Sequence, residues 1–165
     1  MSRIGCFVAV DQATQRRFID DPALIKEYIC PDGVVGSPPN SIDVDKAWQG
    51  IHFLLTGKAE GGDGPLALAA LGGQEIGGEV VLGPARILTP DQVKTVAHAL
   101  QRVDERAFRS KFAPEAMSAA GVYPAELWVS DRERVLTYLV QNYRRLVRFY
   151  EVAAARGDGV VQWLS

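Results

Sequence analysis

From Asp43 to Gly57 the chain repeats apolar and polar residues with the period of a helix. At about 100° per residue, Val44, Ala47, Trp48, Ile51, Leu54 and Leu55 fall on one face. Asp45, Gln49, His52 and Thr56 line up as a polar stripe beside it, and Phe53 lies roughly opposite the apolar face. A helix that is apolar front and back and polar along one seam belongs inside the molecule. Its seam must then meet a ligand or a fixed internal network, because buried polar groups need partners.

The pattern around this stretch alternates short strands with helices. Arg3 to Val10 is apolar or small on both faces, as in a strand covered on both sides. Asp11 caps a short helix to Ile19, and Asp21-Pro22 restarts one whose inward stripe is Leu24, Ile25, Tyr28 and Ile29. Cys30 to Ser41 is a Pro- and Gly-rich loop, long enough to be either a lid or an ordinary surface loop. After Gly57 comes a flexible KAEGGDG connector, then a short helix from Pro65 that Gly72-Gly73 stops. Glu79 to Leu82 and Ala85 to Leu88 read as two strand pieces around Gly83-Pro84.

Thr89, Pro90 and Gln92 spell a capping box, opening a helix with Val93, Val96, Ala97, Leu100 and Val103 inward. Asp104 caps the next helix, which turns Phe108 and Phe112 inward, and Pro114 to Ala120 forms another. Ser130 with Glu133 reads as a second capping box at the head of the longest helix, which runs to about Arg156. Gly157 stops it, and Val160 to Leu164 returns as a last strand. Strands at both ends and in the middle predict an α/β layered fold with a mixed sheet and a long C-terminal helix, as a single domain over 1–165.

Composition narrows the function classes. The chain has 165 residues, 47% hydrophobic and 23% charged, with a net charge of −2. One core of that size buries about two thirds of the surface of the unfolded chain. No basic field attracts phosphate backbones, so no nucleic-acid partner is expected. The longest apolar run, Leu66 to Leu71, is far short of the ~20 residues of a membrane span, so no membrane partner is expected. The N-terminus lacks the features of a signal peptide, and two cysteines make no disulfide scaffold. A cytoplasmic protein, monomeric or weakly dimeric, is the expectation.

Several runs together resemble a known family. Asp43-Val44-Asp45-Lys46-Ala47-Trp48 followed by Ile51-His52-Phe53-Leu54-Leu55-Thr56-Gly57 is similar to the hallmark of the YfbM-like family. Ile4-Gly5, Gly83-Pro84-Ala85-Arg86 leading to Leu88-Thr89-Pro90, Tyr123-Pro124 with Trp128, and Ala153-Ala154 before a glycine fit it too. The resemblance implies a bacterial domain of unknown function with a three-layer α/β arrangement. It carries over no catalytic residue.

His52 is the first candidate for chemistry, because its unperturbed pKa lies near neutrality. It is either a general acid or base or a buried histidine satisfied by backbone or a tyrosine. Gln49 and Thr56 lie one turn away on either side. Asp45 is two turns distant, roughly 10 Å along the axis, too far to orient the ring. A partner carboxylate would come from Asp43, Glu75 or Glu126. Arg86 is either an anion-binding fork or an exposed edge arginine. Tyr123 and Trp128 form either an aromatic wall for a planar ligand or core packing, and Trp48 is core with an indole N–H in need of an acceptor.

No GxSxG, CxxC or Gly-Lys-Ser/Thr loop is present, and two histidines without a CxxC do not supply the ligands of a structural zinc site, so no metal and no cofactor are expected. The reading that follows is a module binding an unknown small molecule or protein partner in a polar cleft along 43–57. Its candidate ligand residues are Asp45, Trp48, Gln49, His52, Thr56, Arg86, Tyr123 and Trp128. The alternatives are an enzyme using His52 on a small phosphorylated or nucleotide-like substrate, and a partner-dependent immunity or stress module.

Overall fold

The two strands most evenly apolar in sequence lie in the middle of the sheet. In the computed structural model, which describes residues 2–165, β1 (Gly5–Val10) and β5 (Gly159–Leu164) pair antiparallel along their whole length. β2 (Ser41–Asp43) adds outside β1, and β4 (Pro84–Leu88) and then β3 (Gln74–Glu79) add outside β5, giving the order β2-β1-β5-β4-β3. Every pairing is antiparallel, so the expected mixed sheet is corrected. The N- and C-terminal strands are direct neighbours, and each connection between paired strands reverses the chain.

Alternation along these strands feeds two apolar layers. Cys6, Val8, Val10, Ala85, Ile87, Val161 and Trp163 meet Phe18, Ile25 and Ile29 from α1 (Gln12–Asp20) and α2 (Ala23–Ile29). Phe7, Ala9, Leu88 and Val160 point the other way. They meet α3 (Trp48–Thr56), α5 (Pro90–Gln101) and α9 (Arg132–Arg156). Helices, sheet and helices make the three layers that the resemblance implies. Short helices α4 (Pro65–Leu68), α6 (Glu105–Ser110), α7 (Pro114–Ala119) and α8 (Ala125–Trp128) fill the second helical layer.

The central helix is shorter than its pattern. Asp43 ends β2 opposite Cys6, and its Oδ1 accepts from the Asp45 amide at 3.1 Å. Asp45 takes a left-handed φ of 48°, a single 3₁₀ turn follows, and α3 starts only at Trp48. The aspartates therefore form a turn leaving the sheet edge, not the first turn of the helix. Gly57 closes α3 in the left-handed conformation, its amide donating to the Phe53 carbonyl at 2.7 Å.

Two further boundaries move. The strand expected at Glu79 to Leu82 lies at Gln74–Glu79, with an irregular register before Pro84. At the head of α9, Asp131 rather than Ser130 accepts the Arg134 amide. The Thr89 capping box forms as expected, with both reciprocal bonds present. Among the described residues no helix is long and apolar enough to cross a membrane.

Candidate functional site

Gln49, His52 and Thr56 of the α3 seam all reach one loop, residues 57–64. Gln49 Nε2 donates to the Ala59 carbonyl at 3.0 Å, while its Oε1 accepts the Tyr123 amide at 2.7 Å. His52 Nε2 lies 2.8 Å from the Gly61 carbonyl. Thr56 Oγ1 donates to the His52 carbonyl at 2.8 Å and accepts the Lys58 amide at 3.1 Å. Gly57, Gly61, Gly62 and Gly64 all have positive φ. So glycine-rich a segment has little preference for one shape, and successive side chains of the helix supply the order that its own backbone lacks.

The hydrogen bond fixes which nitrogen of His52 donates. A carbonyl only accepts, so Nε2 carries a hydrogen, and in the neutral ring Nδ1 is then a bare lone pair. Nδ1 is buried and has no hydrogen-bond partner. Burial pushes the imidazole below its ordinary pKa, against smaller upward pulls from the Gly61 carbonyl and Glu60. The ring is neutral at neutral pH.

Beyond this loop opens a cleft of about 520 Å³. Trp48 and His52 form one side, Gly61-Gly62 and Leu71 to Gly73 the glycine-rich walls, and Glu75 and Arg86 the far side. Glu75 and Arg86 sit directly across from each other on β3 and β4, with Arg86 Nη2 2.6 Å from Glu75 Oε1. Arg86 Nη1 also donates to the Gly73 carbonyl at 3.3 Å. Its side chain stays 33% exposed, so the guanidinium is tethered but not consumed.

The floor rests on Gln162, the one polar residue within β5 and fully buried. Its Nε2 donates to Leu68 O at 3.0 Å and its Oε1 accepts the Leu71 amide at 2.5 Å. Gly73 permits the tight approach of this segment to the sheet. At φ +89° an added Cβ would lie 2.6 Å from Leu88 Cδ2 and 2.8 Å from Ile87 O. The glycines at 72 and 73 thus serve close packing and not a phosphate loop.

The candidate residues separate into three groups. Trp48, His52 and Arg86 border the cleft together. Gln49 and Thr56 stand behind it, holding the loop, and Tyr123 lies behind Trp48, its ring stacked at 6.3 Å and 26°. Asp45 and Trp128 are elsewhere: Asp45 Oδ2 accepts the Tyr138 hydroxyl at 3.0 Å, and Trp128 is fully buried with its indole N–H on Val122 O at 2.7 Å. Asp45 misses the cleft because the turn at its left-handed φ precedes the helix. Trp128 misses it because it fills the notch left by Gly50.

None of Asp43, Glu75 or Glu126 bonds to the His52 ring; the carboxylate acting on it is Glu60. Arg3 was not singled out in sequence and borders the cleft, its carbonyl accepting Trp48 Nε1 at 3.1 Å. The loop at 30–40, the candidate lid, contributes no wall. Among the described residues no three His, Cys, Asp or Glu side chains gather as a metal site.

The same architecture occurs in the crystal structure of YfbM, a protein of unknown function from Escherichia coli. It superposes with a TM-score of 0.74 at 18% identity, covering 98% of this chain and 99% of that one. No curated protein matches the chain. A family model described as a domain of unknown function, DUF1877, matches residues 1–163. The chain belongs to this YfbM-like family.

Proposed function

We propose that the protein is a binding module for a small polar molecule carrying a carboxylate or phosphate, held in the cleft between α3 and the β3–β4 edge. The observation that carries this reading is the convergence of Arg86, Glu75, Arg3, Trp48 and His52 on one 520 Å³ space. That volume falls within the roughly 300–1,000 Å³ of small-molecule sites. Arg86 offers a planar fork for an oxyanion. Its exposed pair with Glu75 is worth about 0–1 kcal/mol, so the guanidinium can be shared with a ligand at little cost. Glu75 and Glu60 suit a donor group on the same ligand, and Trp48 gives an apolar side.

His52 acts here as a latch and not as a proton carrier. Its protonated nitrogen is committed to Gly61, and its other nitrogen is sealed. This favours binding over acid–base chemistry.

A thermal-shift screen of small carboxylates, phosphates and nucleotides tests the reading, run on the wild type and Arg86→Ala. Binding at about 100 times Kd adds about 2.7 kcal/mol of stability, a shift of several degrees. Ligands that stabilise the wild type but not Arg86→Ala support the site. Ligands that stabilise both equally, or none at millimolar concentration, contradict it.

A further inference from the structure

A second concave surface lies on the opposite edge of the sheet. Between β2 and the C-terminal half of α9 runs a groove of about 490 Å³ with a floor of Ala9, Ile42, Phe149, Val152 and Ala153. Its rim is Arg144, Arg145, Arg148 and Arg156, and no carboxylate lines it. α9 carries six arginines and two glutamates in a chain whose net charge is −2, so positive charge is concentrated on this helix.

Neighbouring acids reach the rim from outside. Glu105 binds Arg144, Asp43 stands 4.0 Å from Arg145, and Glu151 stands 3.6 Å from Arg148. Arg156 donates to Asn40 Oδ1 at 2.7 Å. The arginines of these three ion pairs remain 62%, 51% and 76% exposed. Ion pairs this exposed are weak, so they yield readily to a better-placed anion.

The backbone beside the groove is also unfinished. Ala9 N donates to Asn40 O at 3.1 Å and Val44 N to Gly5 O at 2.9 Å, which fixes the hydrogen-bonded pairs at residues 40, 42 and 44. By antiparallel alternation, Ser41 and Asp43 turn their peptide groups away from β1. Among the described residues no strand pairs with that side of β2. The Ser41 amide is occupied by Pro38 O at 3.2 Å, which leaves the Ser41 carbonyl and the Asp43 amide and carbonyl to meet another strand.

We propose that this groove docks an acidic, extended segment of another protein, which adds to the sheet as a strand beside β2. Its carboxylates meet the arginine rim, its alternate aliphatic side chains meet Ile42, Phe149 and Val152, and its backbone completes the ladder. A nucleic acid would satisfy the arginines but offers nothing to the apolar floor. A lipid headgroup would leave the strand edge unpaired.

Fluorescence anisotropy with a labelled eight-residue peptide alternating Glu and Val tests this on the full chain. The expected result is saturable binding, weakened about tenfold or more in the Arg145→Glu/Arg148→Glu double variant. Both positions are exposed, and an unchanged melting temperature verifies the fold of that variant. Of the two versions of this peptide N-methylated at alternate amides, the one whose blocked amides face β2 must bind about tenfold or more weakly, and the other must not. Four results overturn the proposal: no binding at millimolar peptide, equal binding by the double variant, equal binding of the N-methylated peptides in both registers, or tighter binding of single-stranded RNA or phosphatidylglycerol vesicles than of the peptide.

Discussion

His52 Nε2 donates to the carbonyl of Gly61 at 2.8 Å, tying the middle of the buried helix to the middle of a glycine-rich loop. Gln49 makes the same kind of contact one turn earlier at the Ala59 carbonyl, and one turn later Thr56 Oγ1 accepts the Lys58 amide. The cleft has a defined wall because these contacts hold one.

His52→Ala removes a hydrogen bond worth about 1 kcal/mol and leaves a cavity costing about 2 more, for a total of about 2–4 kcal/mol. The loss should be local in character. Hydrogen exchange by mass spectrometry should show faster exchange across residues 58–62, with β1 and β5 retaining their relative protection. A change below about 0.5 kcal/mol with unaltered loop exchange would mean that His52 is not the latch.

The pH dependence has a definite sign. Burial depresses the His52 pKa in the folded protein, so the unfolded chain takes up the proton first as pH falls. Stability is therefore full above the ordinary histidine value of 6.5 and falls below it, by at most about 1.4 kcal/mol per pH unit, until the folded group also titrates. Urea unfolding at pH 7.5 and 5.5 should show this loss, and His52→Gln should lack it. Asp158, raised by burial, contributes with the opposite sign, and subtracting the variant isolates the histidine. Equal pH slopes in the two proteins would contradict the assignment.

Much of this arrangement was legible in the residues themselves. The seam of α3, the Thr89 capping box and the glycine stops at 57 and 157 are local signals, and each has its expected structure. That the seam must meet a ligand or an internal network followed from the cost of burying unpaired polar groups, and the network is what the fold supplies. Where the reading failed, tertiary structure decided. Asp43 belongs to an edge strand because β1 was there to pair with it, which no helical periodicity reveals. Strand direction depends on chain path, so the mixed sheet became antiparallel throughout. Gln162 carries its own local signal, a lone amide in the apolar run GVVQWL, but its partners come from a segment about 90 residues away.

That amide yields the next expectation. Gln162→Leu keeps the volume but strands the Leu71 amide and the Leu68 carbonyl that the glutamine now satisfies. Buried orphans cost about 1–3 kcal/mol each, so a loss of about 2–4 kcal/mol in urea unfolding is expected despite the more apolar side chain. A neutral or stabilising result would show that the cleft floor relaxes freely.

Gly50→Ala sets two effects against each other. Alanine is favoured over glycine inside a helix by about 1 kcal/mol. The new Cβ, however, would sit 2.7 Å from Trp128 Cη2 and 2.8 Å from Leu139 Cδ2, both in the core. Overpacking of this kind costs about 1–3 kcal/mol, so a net destabilisation by thermal melt is predicted. A raised melting temperature would mean that Trp128 shifts without penalty.

The most direct test of the small-molecule cleft is amide chemical-shift mapping on ¹⁵N-labelled protein titrated with mixtures of small carboxylates and phosphates. The account predicts saturable shifts that cluster at Gly61, Gly62, Gly72, Gly73 and Arg86 and vanish in Arg86→Ala. Shifts that cluster elsewhere, or that never saturate with any member of the set, would contradict it.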